Sequence, residues 1–275
     1  MRCAKPFSAP ARRATYGRPM RPRPTFAILL IALCFHAALA ADIGISPPRL
    51  DLVGEAGERL TATVTVITSA RTEQQIAAEI GDWTMDLHGE MAFFPAGSLA
   101  YSAAGWLELD ADAFILVADA SREVRLEVAI PPNAEGTYQA MAFFTVVPPP
   151  TEGSGIGVVT TTRVGLTVYV TVAGTERAGA DLVDLYQSGE RTLTAAILNG
   201  GNTVMRLGGV VELRDEAGEV VRRLEVPDVP VLRESERELT FTLPDDLPSG
   251  FYVALALIED SRGGVLAGEL ALDIP

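Results

Sequence analysis

Arg49 and Arg163 are the side chains of this sequence best suited to hold a partner. A guanidinium presents a planar fork of donors that matches a carboxylate bidentately. Arg49 follows the Pro47-Pro48 break, and Arg163 sits on the polar face of a long alternating stretch. The residues alone leave a second reading open, in which both arginines make surface ion pairs with abundant acids, each worth about 0–1 kcal/mol. Other chemistry is scarce. After residue 40 there is one histidine, His88, in the turn-like Asp86-Leu87-His88-Gly89, and neither cysteine nor lysine. Nucleophile–base pairs, Schiff bases and zinc sets therefore cannot be assembled, and no serine lies in a Gly-x-Ser-x-Gly turn. No catalytic residue, cofactor or metal is expected. Glu108, Asp110 and Asp112 alternate with Leu107, Leu109 and Ala111, but without the spacing of a calcium loop, so they read as a solvated strand face. Trp83, Trp106, Phe93, Phe94, Phe143 and Phe144 read as core residues rather than as a sugar platform.

The stretch that carries Arg163 is unusual. From Ile156 to Val172 every even-numbered residue is Ile, Val, Leu or Thr: Ile156, Val158, Thr160, Thr162, Val164, Leu166, Val168, Val170, Val172. Strict alternation is the pattern of a strand with one buried face. Strands usually run about 5–6 residues, so one of roughly 17 serves more than one sheet or offers an edge to something else. Exposed apolar edges are normally blunted by charge or proline, and one that is kept suits the addition of a partner strand.

Residues 1–40 read as a secretion signal: a basic flank at Arg21 and Arg23, an apolar run from Phe26 to Leu33, and the small-residue site Ala38-Leu39-Ala40. The apolar run is shorter than the ~20 residues of a membrane span. Seven of the 22 basic residues lie in this segment and none of the 36 acids, so the remainder carries 15 against 36, a formal net charge of −21. Such an acidic chain argues against nucleic acid or an anionic membrane as partner. An extracytoplasmic location is expected.

The remainder reads as short strands with no amphipathic helix. Candidates are Ile43–Ser46, Leu50–Val53, Leu60–Ile67, Ile76–Trp83, Phe114–Val117, Val124–Ile130 and Tyr138–Val147. Proline at 47 and 48 interrupts the first run and lets its halves join different sheets. A second set comprises Leu182–Tyr186, Thr192–Leu198, Val210–Arg214, Val220–Val226, Glu238–Leu243, Tyr252–Ile258 and Val265–Leu272. About seven strands is the count of an immunoglobulin-like sandwich. The expected class is all-β, with two tandem immunoglobulin-like sandwiches over 41–173 and 174–275. Pro148 to Gly155 forms the loop before the long strand.

Ile-Ser-Pro-Pro-Arg-Leu-Asp-Leu from Ile45, with Gly136 to Phe144, resembles the periplasmic pilus-assembly chaperones of the chaperone–usher pathway. The resemblance implies a loop leading into a long last strand of the first domain, here Pro148 to Val172. It implies donation of that strand to an incomplete pilus subunit, with Ile156, Val158, Thr160 and Thr162 as donor residues. An outer-membrane usher is implied as a further partner. Two basic cleft residues of the family hold the subunit's terminal carboxylate. Arg49 matches the first. The second is a lysine in the family, where this chain has Gly165, with Arg163 two residues earlier on the same strand face. Asn199 to Thr203 and Leu247 to Tyr252 resemble sandwich domains of envelope proteins, which makes a structural or adhesive envelope protein the alternative.

Overall fold

A computed structural model describes residues 43–149 and 161–274. The secretion-signal reading and the donor residues Ile156, Val158 and Thr160 fall outside them. The first ten strands are β1 (Ile43–Ser46), β2 (Arg49–Gly54), β3 (Arg59–Thr68), β4 (Gln74–Met85), β5 (Met91–Pro95), β6 (Leu107–Leu109), β7 (Ala113–Leu116), β8 (Ser121–Ala129), β9 (Gly136–Val147) and β10 (Arg163–Val172). They form one sheet in the order β1-β3-β8-β6 and a second in the order β2-β10-β9-β4-β5, with β7 beside the start of β4. The proline break acts as its chemistry predicts. β1 pairs with β3 in one sheet, and after Pro47-Pro48 the chain enters the other, where β2 runs parallel to β10.

Alternation sets which side chains meet between these sheets. Val124, Leu126 and Val128 of β8 face Ile76 and Ala78 of β4, Ala140, Ala142 and Phe144 of β9, and Leu166, Val168, Val170 and Val172 of β10. β9 is buried on both faces, because Met141 and Phe143 on its outer side are covered too. That explains why its middle, Ala140 to Phe144, is an unbroken apolar run rather than alternating.

The second sandwich contains β11 (Ala180–Gly189), β12 (Thr192–Asn199), β13 (Met205–Arg214), β14 (Val220–Val231), β15 (Ser235–Thr242), β16 (Gly250–Asp260) and β17 (Val265–Ile274). Its sheets are β11-β12-β15 and β14-β13-β16-β17, closed over Leu193, Ile197, Leu207, Val211, Leu213, Phe241 and Ile258.

One sequence expectation needs correction. Phe93 and Phe94, placed in the core by their type, are 50% and 40% exposed. They lie on β5, the last strand of its sheet, where all five residues face solvent. The even-numbered stripe is fully buried in the first sandwich's own core from Leu166 to Val172, with Val164 packed against it.

Candidate functional site

The outer face of the β2-β10-β9-β4-β5 sheet carries the odd-numbered residues of β10: Arg163, Gly165, Thr167 and Tyr169. Parallel pairing sets Arg49 beside Thr167 and Asp51 beside Tyr169. Arg49 and Arg163 therefore share this face, but four residues of β10 separate Arg163 from Arg49's partner, about 13 Å at ~3.3 Å per residue. Their guanidinium groups serve different neighbours. Arg49 donates from Nε to Asp51 at 2.7 Å. Arg163 leans over β9, with its guanidinium 3.5 Å from the Phe143 ring centroid, and donates to Glu79 of β4 at 2.6 Å.

Gly165 has a physical reason to be small. A Cβ there would come within 2.5 Å of the Met141 sulfur, so this thioether occupies the space that a longer side chain would enter. Met141, Phe143, Met91, Phe93, Arg163, Gly165 and Thr167 line an open pocket of about 300 Å³ on this face.

The edge of β10 changes character along its length. β9 pairs with all of Arg163 to Val172, whereas β2 covers the opposite edge only from Thr167 onward. Among the described residues, Arg163 to Leu166 thus have a free edge that ends at Arg49. Just before it, the Thr162 carbonyl accepts the Val146 N–H at 2.9 Å, and the Thr161 hydroxyl donates to the Val146 carbonyl. Thr162 is half-buried.

The two sandwiches meet on the same outer face. Trp83, Met141, Phe143, Tyr169 and Leu232 form a small buried cluster, with Met85 and Val204 packed against it. The Tyr169 ring stands edge-on to Trp83 at 5.7 Å, and burial pushes its phenol up to about 12. Arg233 of the second sandwich is buried beneath the first. It donates to the Glu135 carbonyl at 3.0 Å and lies 3.8 Å from the Tyr101 ring centroid. Neighbouring Glu234 accepts from the Tyr101 hydroxyl, a bond that raises the Tyr101 pKa and lowers that of Glu234. The Thr137 N–H donates to the Asn202 carbonyl at 2.9 Å, and the Glu238 N–H to the Leu87 carbonyl at 2.7 Å.

His88 is exposed, with Nδ1 3.6 Å from the Glu238 carboxylate. Its turn is organised by Asp86, whose carboxylate accepts the Glu90 and His88 N–H groups and is held below the usual range chiefly by the Glu90 bond. Glu108, Asp110 and Asp112 are exposed and line a shallow groove with Glu79. Among the described residues, no group of three His, Cys, Asp or Glu is arranged to hold a metal ion. No helix among them is long and apolar enough to cross a membrane. The Asn199-to-Thr203 stretch has an internal use: Asn199 Nδ2 donates to the carbonyls of Thr203, Val231 and Leu232.

No protein-family model and no curated protein sequence matches the chain. Solved structures do. A chain of the chaperone–tip adhesin complex of CFA/I fimbriae biogenesis matches 84% of this chain and 99% of its own length, at 15% identity and a TM-score of 0.50. The chain shares its fold with that chain of the complex. The class 5 fimbriae chaperone CfaA matches 84% of this chain and 99% of its own length, at 14% identity and a TM-score of 0.47. The CsuC–CsuE chaperone–tip subunit pre-assembly complex of Acinetobacter baumannii contains a chain that matches 83% of this one and 98% of its own length, at 13% identity and a TM-score of 0.45. Within this fold, sequence reasoning passed over Tyr169 and Arg233. Their neighbours are remote in sequence, and no local spacing marks them.

Proposed function

We propose that this chain is a periplasmic chaperone that binds and caps an incomplete β-sandwich subunit of a pilus by strand addition, without catalysing a reaction. The observation that carries this reading is the edge of β10 that is free among the described residues and ends where β2 begins. A strand added beside Arg163 to Leu166 must stop against Arg49. A chain end that meets a guanidinium is best matched by a terminal carboxylate. Backbone ladder bonds supply affinity along the added strand, and alternating side chains select the partner. Ile156, Val158, Thr160 and Thr162 continue the even-numbered stripe of the sequence just before β10 and are the proposed donor residues. Arg49 is the proposed anchor. Arg163 assists only by exchanging Glu79 for the incoming carboxylate. The pilus-assembly usher follows as a second partner. The proposed division places the domain boundary at Gly174, between β10 and β11.

The test is co-purification of the protein with a pilus subunit co-expressed in a bacterial periplasm. Truncating an arginine whose bonded carboxylate is buried costs about 2–5 kcal/mol. Arg49→Ala, and separately Ile156→Asp with Val158→Asp, should each abolish capture while leaving the β-sheet circular dichroism spectrum unchanged. Retention of the subunit by both folded variants refutes strand donation, and leaves the structural or adhesive envelope protein as the favoured reading.

A further inference from the structure

From Phe251 to Ile258, β16 reads Phe-Tyr-Val-Ala-Leu-Ala-Leu-Ile, an apolar run on both faces of the strand. On β9 such a run has its second face covered by the junction cluster. On β16 it does not. Tyr252, Ala254, Ala256 and Ile258 turn into the core of the second sandwich. Phe251, Val253, Leu255 and Leu257, on the other side, join no buried cluster among the described residues. Phe251 and Val253 are 64% and 38% exposed. The solvent face of an antiparallel sheet normally carries polar side chains, as Glu123, Arg125 and Glu127 of β8 do in the first sandwich. Neighbouring strands widen the apolar strip: Val210 of β13 and Ala267 of β17 flank Leu257, and Ala271 of β17 flanks Val253.

Charge is divided across this strip. On the β13 side, Arg214 and Arg223 both hold Glu212, a carboxylate only 9% exposed, with Nη2 groups at 2.7 and 2.9 Å. Two cations on one anion leave that flank positive beside Val253 and Leu255. On the β17 side, Glu269 sits beside Leu255 and Asp273 beside Phe251. Both are exposed and make no ion pair among the described residues. Glu225, the acid that β14 adds to this face, lies beside Val210, level with the uncharged Ala267.

A second copy of the same face fits this pattern. A two-fold axis along β16 lays β17 of each copy over β13 of the other, so Glu269 and Asp273 meet Arg214 and Arg223 as the apolar strips close. A two-fold axis across the strands would set acid over acid, which is repulsive. We infer that the chain forms a weak homodimer through the outer face of β13, β16 and β17. The facing sheets pack about 10 Å apart with their strands crossing at about 30°. Four outward residues at ~6.7 Å steps, on three strands ~4.8 Å apart, make an apolar strip of about 20 by 10 Å. That is at the small end of specific interfaces, so the dimer exchanges with monomer at micromolar concentrations. Glu259, the next outward residue of β16, ends the strip, and the crossing angle carries it away from its own copy. The dimer does not use the edge of β10, so it is independent of the strand-addition reading.

The experiment is sedimentation velocity of the protein purified from a bacterial periplasm, at concentrations from about 5 to about 500 μM. Wild type should pass from monomer to dimer within that range. Phe251→Ser with Val253→Asp should raise the dissociation constant at least about 10-fold, the effect of removing an apolar anchor. Glu269→Arg with Asp273→Arg should do the same by setting cation over cation, although it lowers the net negative charge of each copy. Circular dichroism checks each fold, and the β17 pair, at two exposed positions, carries the test if the β16 pair does not fold. A wild type that stays monomeric throughout overturns the dimer. A dimer that both folded variants retain overturns this face as its interface. Tighter association of the Glu269→Arg, Asp273→Arg protein overturns the two-fold arrangement.

Discussion

Replacing Arg233 with methionine tests whether the junction between the sandwiches is a structural unit. The substitution keeps an apolar stem and removes the guanidinium. Lost with it are the donor to the Glu135 carbonyl at 3.0 Å, a weaker one to the Thr137 carbonyl at 3.4 Å, and the contact with Glu234 at 3.3 Å. A hydrogen bond to a charged group contributes about 1.5–3 kcal/mol, and the stacked cation over Tyr101 adds about 0.5–2 kcal/mol. One term runs the other way. Arg233 Nε is buried without a partner, and its removal recovers about 1–3 kcal/mol of desolvation. At the middle of each range the balance is a loss of about 1–2 kcal/mol. For a folding unit of this size each kcal/mol shifts the midpoint by about 2–4 °C. Scanning calorimetry should therefore show a midpoint lower by roughly 2–8 °C, with the single transition broadening toward two as the sandwiches uncouple. A midpoint equal to or above that of wild type, with an unchanged transition shape, would mean that Arg233 contributes nothing net and that apolar contacts alone join the sandwiches.

Tyr169 makes stability fall at alkaline pH. Its folded pKa of about 12 lies above the ordinary phenol value of 10.0, so the unfolded chain loses the proton first as pH rises. The contribution is complete below about pH 10 and is lost by about pH 12, in total about 2–3 kcal/mol. Tyr169→Phe should flatten that part of a urea-denaturation series, and an unchanged alkaline slope would count against the burial of this ring. Gly136→Ala should destabilise strongly, because the backbone there has φ 75° and a Cβ would lie 2.1 Å from the Asn202 carbonyl oxygen. Gly97 has nearly the same φ, 76°, with open space around it, so Gly97→Ala should show only the backbone strain of about 1–3 kcal/mol. Equal denaturation midpoints for the two variants would remove the packing argument at Gly136.

Much of the fold was legible because strand chemistry is local. Turn residues and alternation put β1 at Ile43–Ser46, as the structure has it, and located most other strands to within a few residues. β5 and β6 were missed. β5 has no alternation to read, since both its faces meet solvent, and β6 is only three residues long. β13 begins five residues before its sequence-based start, because Gly208 and Gly209 interrupt its apolar run while it remains paired with β16.

The sequence by itself determined the all-β class, the two sandwiches, the change of sheet at Pro47-Pro48, and the chemistry that the chain lacks. Those follow from short-range properties: the period of a strand, the missing N–H of proline, the absence of thiol and amine side chains after residue 40. Tertiary structure decided that Leu166 to Val172 of the even-numbered stripe are fully buried in the sandwich's own core, because that depends on how far the opposing sheet extends. It also decided that Arg49 and Arg163 meet different partners, Asp51 and Glu79: pairing with β2 sets Arg49 beside Thr167, while Arg163 lies four residues earlier on β10 and leans over Phe143 of β9.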